Sequence, residues 1–244
     1  MLSGEETLRY SRHIKLPHFG TEGQRKLKAA RVLIIGVGGL GSPAALYLAA
    51  AGVGTIALMD GDKVSLSNLQ RQILHFTPDL GSPKTVSANH KLQALNPNIS
   101  IETIEDFLTP DNAEQTIANY DFVIDGTDSM EAKFLINDTC VRMGKPFCHA
   151  ALLQYEGQIF TYVPGSADLR GIFGAPPPEG TVQTCSQAGV LGAAAGVLGT
   201  LQAAEAIKYI AGIGQLLTDR IMTLDILTMT VNTIDIPRNL DTRH

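Results

Sequence analysis

Residues Arg31 to Gly41, RVLIIGVGGLG, decide the fold. Arg31 to Gly36 is a short run of branched aliphatic residues bounded by glycine, which predicts a buried β-strand. Gly36, Gly38 and Gly41 then satisfy the G-x-G-x-x-G spacing, with Gly39 inside it, directly after that strand and at the opening of a helix predicted to run to Ala51. Glycines there permit a tight turn and let the backbone approach a phosphate, while the helix N-terminus supplies N–H groups and positive potential. Thr55 to Asp60, TIALMD, reads as the second strand. Its last residue, Asp60, stands where such folds hold ribose hydroxyls. The loop alone does not say which nucleotide.

The run from Val32 to Met59 carries no charge and by length alone could span a membrane. Six glycines and a proline break it into strand, turn, small-residue helix and strand, the pattern of a parallel sheet covered on both faces. The uncharged stretch Ser186 to Ala204 is likewise read as a buried helix, part of one predicted over residues 190 to 211.

Residues 5 to 30 read as helical segments around Leu16-Pro17. Beyond Asp60, Ser65 to Leu74 is expected to be a short helix, and Ser82 (N-cap) with Pro83 (N1) to open another reaching about Leu95. Ile99 to Ile104 and Phe122 to Asp125 are the third and fourth strands, with a helix from Asp111 to Asn119 between them. This alternation predicts an α/β fold: a doubly wound, Rossmann-like, mostly parallel sheet. After Pro146 the texture changes. Phe147 to Leu153 and Gln158 to Val163 are strands joined by a Tyr-Glu-Gly turn, hence antiparallel, and Asp219 to Ile236 carries one or two more. Pro164 to Cys185, with its triple proline, is expected to be a long mobile loop. The expected organisation is one domain over residues 1–244: an N-terminal helical segment (1–30), a nucleotide-binding half (31–150), and a half of antiparallel strands and crossover loop (151–244).

Composition sets limits. The chain has 244 residues, 44% of them hydrophobic, and a mean hydropathy near zero, which excludes a disordered polymer. A chain of this size buries about 70% of its extended surface on folding. Three cysteines are too few for a disulfide framework and suit a reducing cytosol. The opening MLSGEETLRYSRHIK shows no signal or transit peptide, so a cytoplasmic protein is expected. The net charge of −5 argues against nucleic acid as a partner.

Two polar groups sharpen the chemistry. Ser67-Asn-Leu-Gln-Arg-Gln72 follows the second strand, at the sheet edge where α/β folds bind ligands. Lys84 lies in the first turn of a helix, where a cation opposes the macrodipole unless an anion is bound. Asp128, just after the fourth strand, has two readings: N-cap of the helix through Met143, or an oxygen ligand for Mg²⁺. Of the cysteines, Cys140 and Cys148 read as buried hydrophobes. Cys185 lies near the start of the 190–211 helix, where its thiol would gain thiolate character. An inert loop thiol is the alternative.

Arg9-Tyr-Ser-Arg12, the Gly36–Gly41 loop, Ser65 to Gln72 (SLSNLQRQ), Lys84, Thr127-Asp128 and Thr184 to Val190 (TCSQAGV) together resemble the ThiF/MoeB/HesA family, bacterial relatives of ubiquitin-activating enzymes. The resemblance runs from about Leu8 to Asp225. It implies a homodimeric adenylyltransferase that uses MgATP to activate the C-terminal Gly-Gly of a small ubiquitin-like sulfur carrier in a thiamine or molybdopterin type of pathway. A sulfurtransferase or cysteine desulfurase would be the sulfur source. By the same resemblance Gly36, Gly38, Gly39 and Gly41 approach the phosphates and Asp60 holds the ribose. Asn68, Arg71 and Lys84 bind the triphosphate, Asp128 takes Mg²⁺, Arg12 reaches the neighbouring subunit's site, and Ser67, Leu69, Gln70 and Ser129, the last standing where asparagine is frequent, complete the nucleotide-binding set. Cys185 matches a cysteine available for a covalent intermediate, and residues 151–244 would bind the carrier. Many relatives also hold a structural zinc with two C-x-x-C pairs. This chain has neither pair, with Asp168-Leu-Arg-Gly171 in the first pair's place, so no zinc is expected. An NAD-dependent oxidoreductase would leave Arg71, Lys84 and Asp128 without a task, and a catalytically silent carrier-binding scaffold would not need them.

Overall fold

The computed structural model describes residues 1–178 and 185–236. Eight strands form one sheet in the order β3-β2-β1-β4-β5-β6-β7-β8. The first four are β1 (Arg31–Ile35), β2 (Thr55–Met59), β3 (Ser100–Ile104) and β4 (Phe122–Asp125). They continue in β5 (Phe147–Leu153), β6 (Glu156–Tyr162), β7 (Arg220–Asp225) and β8 (Thr230–Asp235). β1 pairs in parallel with both β2 and β4, and β2 with β3 and β4 with β5 are parallel too, whereas every pairing from β5 to β8 is antiparallel. The sheet is therefore doubly wound and mixed, as expected.

Helices cover it. α1 (Gly4–Arg9), α2 (Ser11–Ile14) and α3 (Gly20–Ala29) precede β1, and α4 (Gly41–Ala51) links β1 to β2. α5 (Lys84–Leu95), α6 (Ala113–Ile117) and α7 (Met130–Met143) are the further crossovers. α8 (Leu169–Phe173), α9 (Cys185–Ala188) and α10 (Gly192–Ala211) lie between β6 and β7. One core cluster lies between the sheet and α4 with α10, where Ala44, Ala45 and Leu48 join Leu198, Ala203 and Ala206. A second, with Phe134, Phe147 and Phe160, fills the other face. The uncharged run 32–59 is thus β1, loop, α4 and β2, and among the described residues no helix is long and apolar enough to cross a membrane.

Several expectations shift. α4 begins at Gly41 rather than Gly38, because residues 36–40 form the loop itself. Ser65 to Leu74 holds only one 3-10 turn, Leu66–Asn68. α5 begins at Lys84 with extended Pro83 as its N-cap and no side-chain cap. A distant pairing explains the slip: Val64 N–H donates to the Ser82 carbonyl (2.9 Å) and Lys63 bridges to Pro83, which draws Ser82 and Pro83 out of the helix. The stretch 164–185 contains α8, capped where Asp168 Oδ1 accepts from Gly171 N–H (2.8 Å) and tied down by Arg170 to Asp138 (2.6 Å). Residues 179–184 lie outside the described residues.

Candidate active site

In a doubly wound sheet, ligands bind at the carboxyl ends of strands where the strand order reverses. Here that point lies between β1 and β4. Their following loops meet backbone to backbone: a Cβ on Gly36, which has φ +89°, would lie 2.6 Å from the Gly126 carbonyl oxygen. At Gly41 a Cβ would lie 2.0 Å from the Gly36 carbonyl oxygen, so the loop closes only with glycine at both positions. A cavity of about 1350 Å³ opens there. It exceeds the usual pocket for a single small ligand.

The cavity brings together Gly36, Gly38, Gly39, Asp60, Arg71, Lys84, Asp128 and Ser129. Among the described residues the amides of Gly38 and Gly39 donate to no protein group, so they remain available to a ligand. Asp60 is buried and accepts from the N–H groups of Val37 (2.8 Å) and Asp62 (2.9 Å). It therefore shapes the glycine loop as well as facing the cavity. Lys84 is buried, with Nζ 2.8 Å from Asp62 and 3.6 Å from Asp60. These carboxylates offset a cation at a helix N-terminus until an anion arrives. Arg71 is half-buried and donates to the Ser67 carbonyl (3.0 Å), with no carboxylate partner among the described residues.

Asp128 does not cap α7. The N-cap is Ser129, whose hydroxyl accepts from Ala132 N–H (3.2 Å). Asp128 is exposed to the cavity and makes no hydrogen bond or ion pair among the described residues. Acidic side chains outnumber basic ones along the lining, Glu131, Glu156 and Asp225 among them. An anionic ligand here needs a cation brought with it, and the unpartnered Asp128 carboxylate fits a hard cation such as Mg²⁺.

Other expected residues fall outside the lining. Gly41 is structural, as described. Ser67 bonds its hydroxyl to that of Ser65 (3.1 Å), and the Asn68 side chain accepts from Ser65 N–H (3.1 Å), so both organise their own turn. Leu69 and Gln70 do not line the cavity. Instead α10 starts against Gln70, where a Cβ on Gly192 would lie 2.3 Å from its carbonyl oxygen. Arg12 is exposed on α2, away from the cavity. Cys185 opens the four-residue α9, and α10 begins separately at Gly192; the thiol lies outside the described residues.

Sequence reading missed a buried charged cluster beneath the Asp128 loop. Asp125, at the end of β4, accepts from Lys133 Nζ (3.2 Å), His149 Nδ1 (2.8 Å) and the Thr127 hydroxyl (2.7 Å). Burial alone would raise its pKa, but the Lys133 ammonium, the His149 hydrogen bond and Thr127 outweigh that and hold it at about 2. Burial lowers the pKa of His149. A carboxylate ending a fully buried strand demands such partners, and that was the available signal. Gln72 was also missed as a site residue. It is buried, lines the cavity, and its Oε1 has no partner among the described residues. Phe107 and Leu108, after β3, add an apolar patch to the lining.

The ThiF family model matches residues 10–243. The chain belongs to the ThiF family. It is 43% identical over 246 residues to the probable adenylyltransferase/sulfurtransferase MoeZ of Mycobacterium tuberculosis, covering 99% of this chain but 63% of that protein. The chain thus spans less than two thirds of that relative. With the sulfur carrier protein adenylyltransferase of Thermus thermophilus it shares 41% identity, covering 96% of this chain and 89% of the relative. Among solved structures, E. coli MccB crystallised with AMPCPP and MccA superposes with a TM-score of 0.81 at 25% identity, covering 96% of this chain and 73% of that one.

Proposed function

We propose that this protein adenylates the C-terminal carboxylate of a small ubiquitin-like sulfur carrier, consuming ATP and releasing pyrophosphate. The observation that carries the reading is the meeting of Arg71, Lys84 and an unpartnered Asp128 around two unspent amides in one cavity. The names of the Thermus and Mycobacterium relatives and the AMPCPP in the MccB crystal support it.

In this reading the triphosphate lies along the glycine loop, and the base rests by Phe107 and Leu108 with the ribose at Asp60. The carrier carboxylate, ionised at neutral pH, needs no general base. It attacks the α-phosphorus, forming the acyl-phosphate bond as the bond to pyrophosphate breaks. Both reactants are anionic, and the leaving group gains charge. Lys84 exchanges its carboxylate contacts for phosphate, Arg71 adds a cation, and the Gly38 and Gly39 amides add fixed dipoles, which is how enzymes usually stabilise such charge. Asp128 would hold Mg²⁺, which would supply further neutralisation of the phosphates. Arg12 serves the neighbouring subunit of a homodimer, consistent with its exposed place outside its own chain's cavity. The buried free thiols Cys140 and Cys148 fit a cytoplasmic setting, where a sulfurtransferase or desulfurase would deliver sulfur.

The test is carrier-dependent exchange of labelled pyrophosphate into ATP. Exchange with a Gly-Gly carrier, lost when its last glycine is removed, is the expected result. ATP and carrier binding without exchange would instead mark a silent scaffold.

A further inference from the structure

We propose that His75 is a positioning residue that turns the Gly38 amide toward the nucleotide phosphates. The proposal rests on the nucleotide reading above but draws on a separate group of atoms. His75 is buried beneath the glycine loop, with Nε2 2.9 Å from the Val37 carbonyl oxygen and Nδ1 2.9 Å from the Ser87 hydroxyl. A carbonyl only accepts, so Nε2 carries the proton and, in a neutral ring, Nδ1 accepts from Ser87. The Ser87 oxygen in turn accepts from Lys91 Nζ (2.9 Å), and that ammonium pairs with Asp79. The Ser87 hydroxyl also reaches the Asp79 carboxylate, so its proton has two acceptors, whereas the Nε2 proton has one place, on the Val37 carbonyl. Burial lowers the pKa of His75, and the ammonium groups of Lys91 and Lys84 act in the same direction against the Val37 carbonyl and Asp60. The ring is thereby kept neutral.

The consequence follows from peptide geometry. Val37 C=O and Gly38 N–H belong to one trans peptide plane and point in opposite directions. Holding the carbonyl against His75 directs the amide to the other side. Gly38 lines the cavity and its N–H is unspent. The preceding peptide is fixed by Asp60 through Val37 N–H (2.8 Å), so two side chains from different elements set the loop's donors. A leucine at position 75 would fill the space yet leave the Val37 carbonyl without a partner and the peptide free to turn.

Two isosteres separate aiming from packing. Glutamine places its amide nitrogen where Nε2 sits, whereas asparagine reaches only the Nδ1 position. Nitrogen-15 NMR of the nucleotide-free protein at pH 7.5 is expected to show His75 as the neutral Nε2–H tautomer. The Gly38 amide resonance is expected to move in His75→Asn and far less in His75→Gln. With Mg-ATP, His75→Asn is expected to weaken binding about tenfold, at unchanged carrier KM, with glutamine restoring most of the loss. An Nδ1–H tautomer or an imidazolium at pH 7.5 would overturn the proposal, as would equal losses in the two variants. Should the unmodified protein bind no ATP, the nucleotide reading fails, while the tautomer and the Gly38 resonance still decide what His75 does.

Discussion

β1, β2 and β4 are buried over nearly their whole length, whereas β8, at the other end of the same sheet, is exposed at every residue from Thr230 to Asp235. The cavity runs between these regions and inherits the contrast. Its parallel side presents unspent amides, Lys84, Arg71 and Asp128 on elements locked by the core. Its antiparallel side presents Thr223, Thr228, Thr230 and Asn232 with two carboxylates, Glu156 and Asp225, and no cation among the described lining residues. The contrast teaches that the cations and free amides that can meet an anion are built into the parallel half. The other half offers a wall whose edge strand β8 carries Val231, more than half exposed on the face opposite Thr230 and Asn232, where the proposed carrier would dock.

The largest expected effect tests the rigid half's foundation. Asp125→Ala leaves Lys133, 4% exposed, without its carboxylate, and breaking such a buried pair costs about 3–5 kcal/mol. Urea unfolding should show a loss of that size; a loss under about 1 kcal/mol would mean that the loop does not depend on this anchor. Next, Asp128→Ala should lower carrier-dependent exchange by about 100-fold or more, as losing a preorganised charge contact at a reacting phosphate does, with melting temperature unchanged because Ser129 holds the cap. An equal loss in Asn232→Ala would erase the division between the two walls. Val231→Asp should raise the KM for the carrier about tenfold, a loss of a hydrophobic interface contact, while leaving ATP affinity alone. If ATP affinity fell with it, β8 would belong to the nucleotide site.

Smaller effects sharpen the comparison. Ser129→Ala should cost about 1 kcal/mol through loss of the α7 cap, read in thermal unfolding. His75 and His149 both have folded pKa values below the ordinary imidazole value near 6.5. Below that value the unfolded chain binds protons that the native chain does not, so stability is full above about pH 6.5 and falls as the pH drops beneath it. A melting temperature flat from pH 7.5 to 5.5 would contradict this.

Most of the parallel half was legible because its signals are local: branched aliphatic runs, a glycine spacing, an acid at a strand end. The failures have distant causes. Ser82 looks like an N-cap until Lys63 and Val64 pair with its neighbourhood. Asp128 and Ser129 are adjacent cap formers, and the local backbone gives the cap to Ser129, which frees the carboxylate. Asp125, Lys133 and His149 lie on three elements, so no spacing rule links them. Asn68 matches the resemblance and yet spends its side chain on Ser65. Arg12, expected to serve a second subunit, is exposed and lies outside its own chain's cavity.

Equilibrium titration of the protein with Mg-ATP, with NAD as the parallel titrant, tests the central claim most directly. The account expects saturable ATP binding that weakens at least tenfold in Lys84→Ala, and no tight binding of NAD. Tight NAD binding with none of ATP would contradict it and return the glycine loop to hydride chemistry.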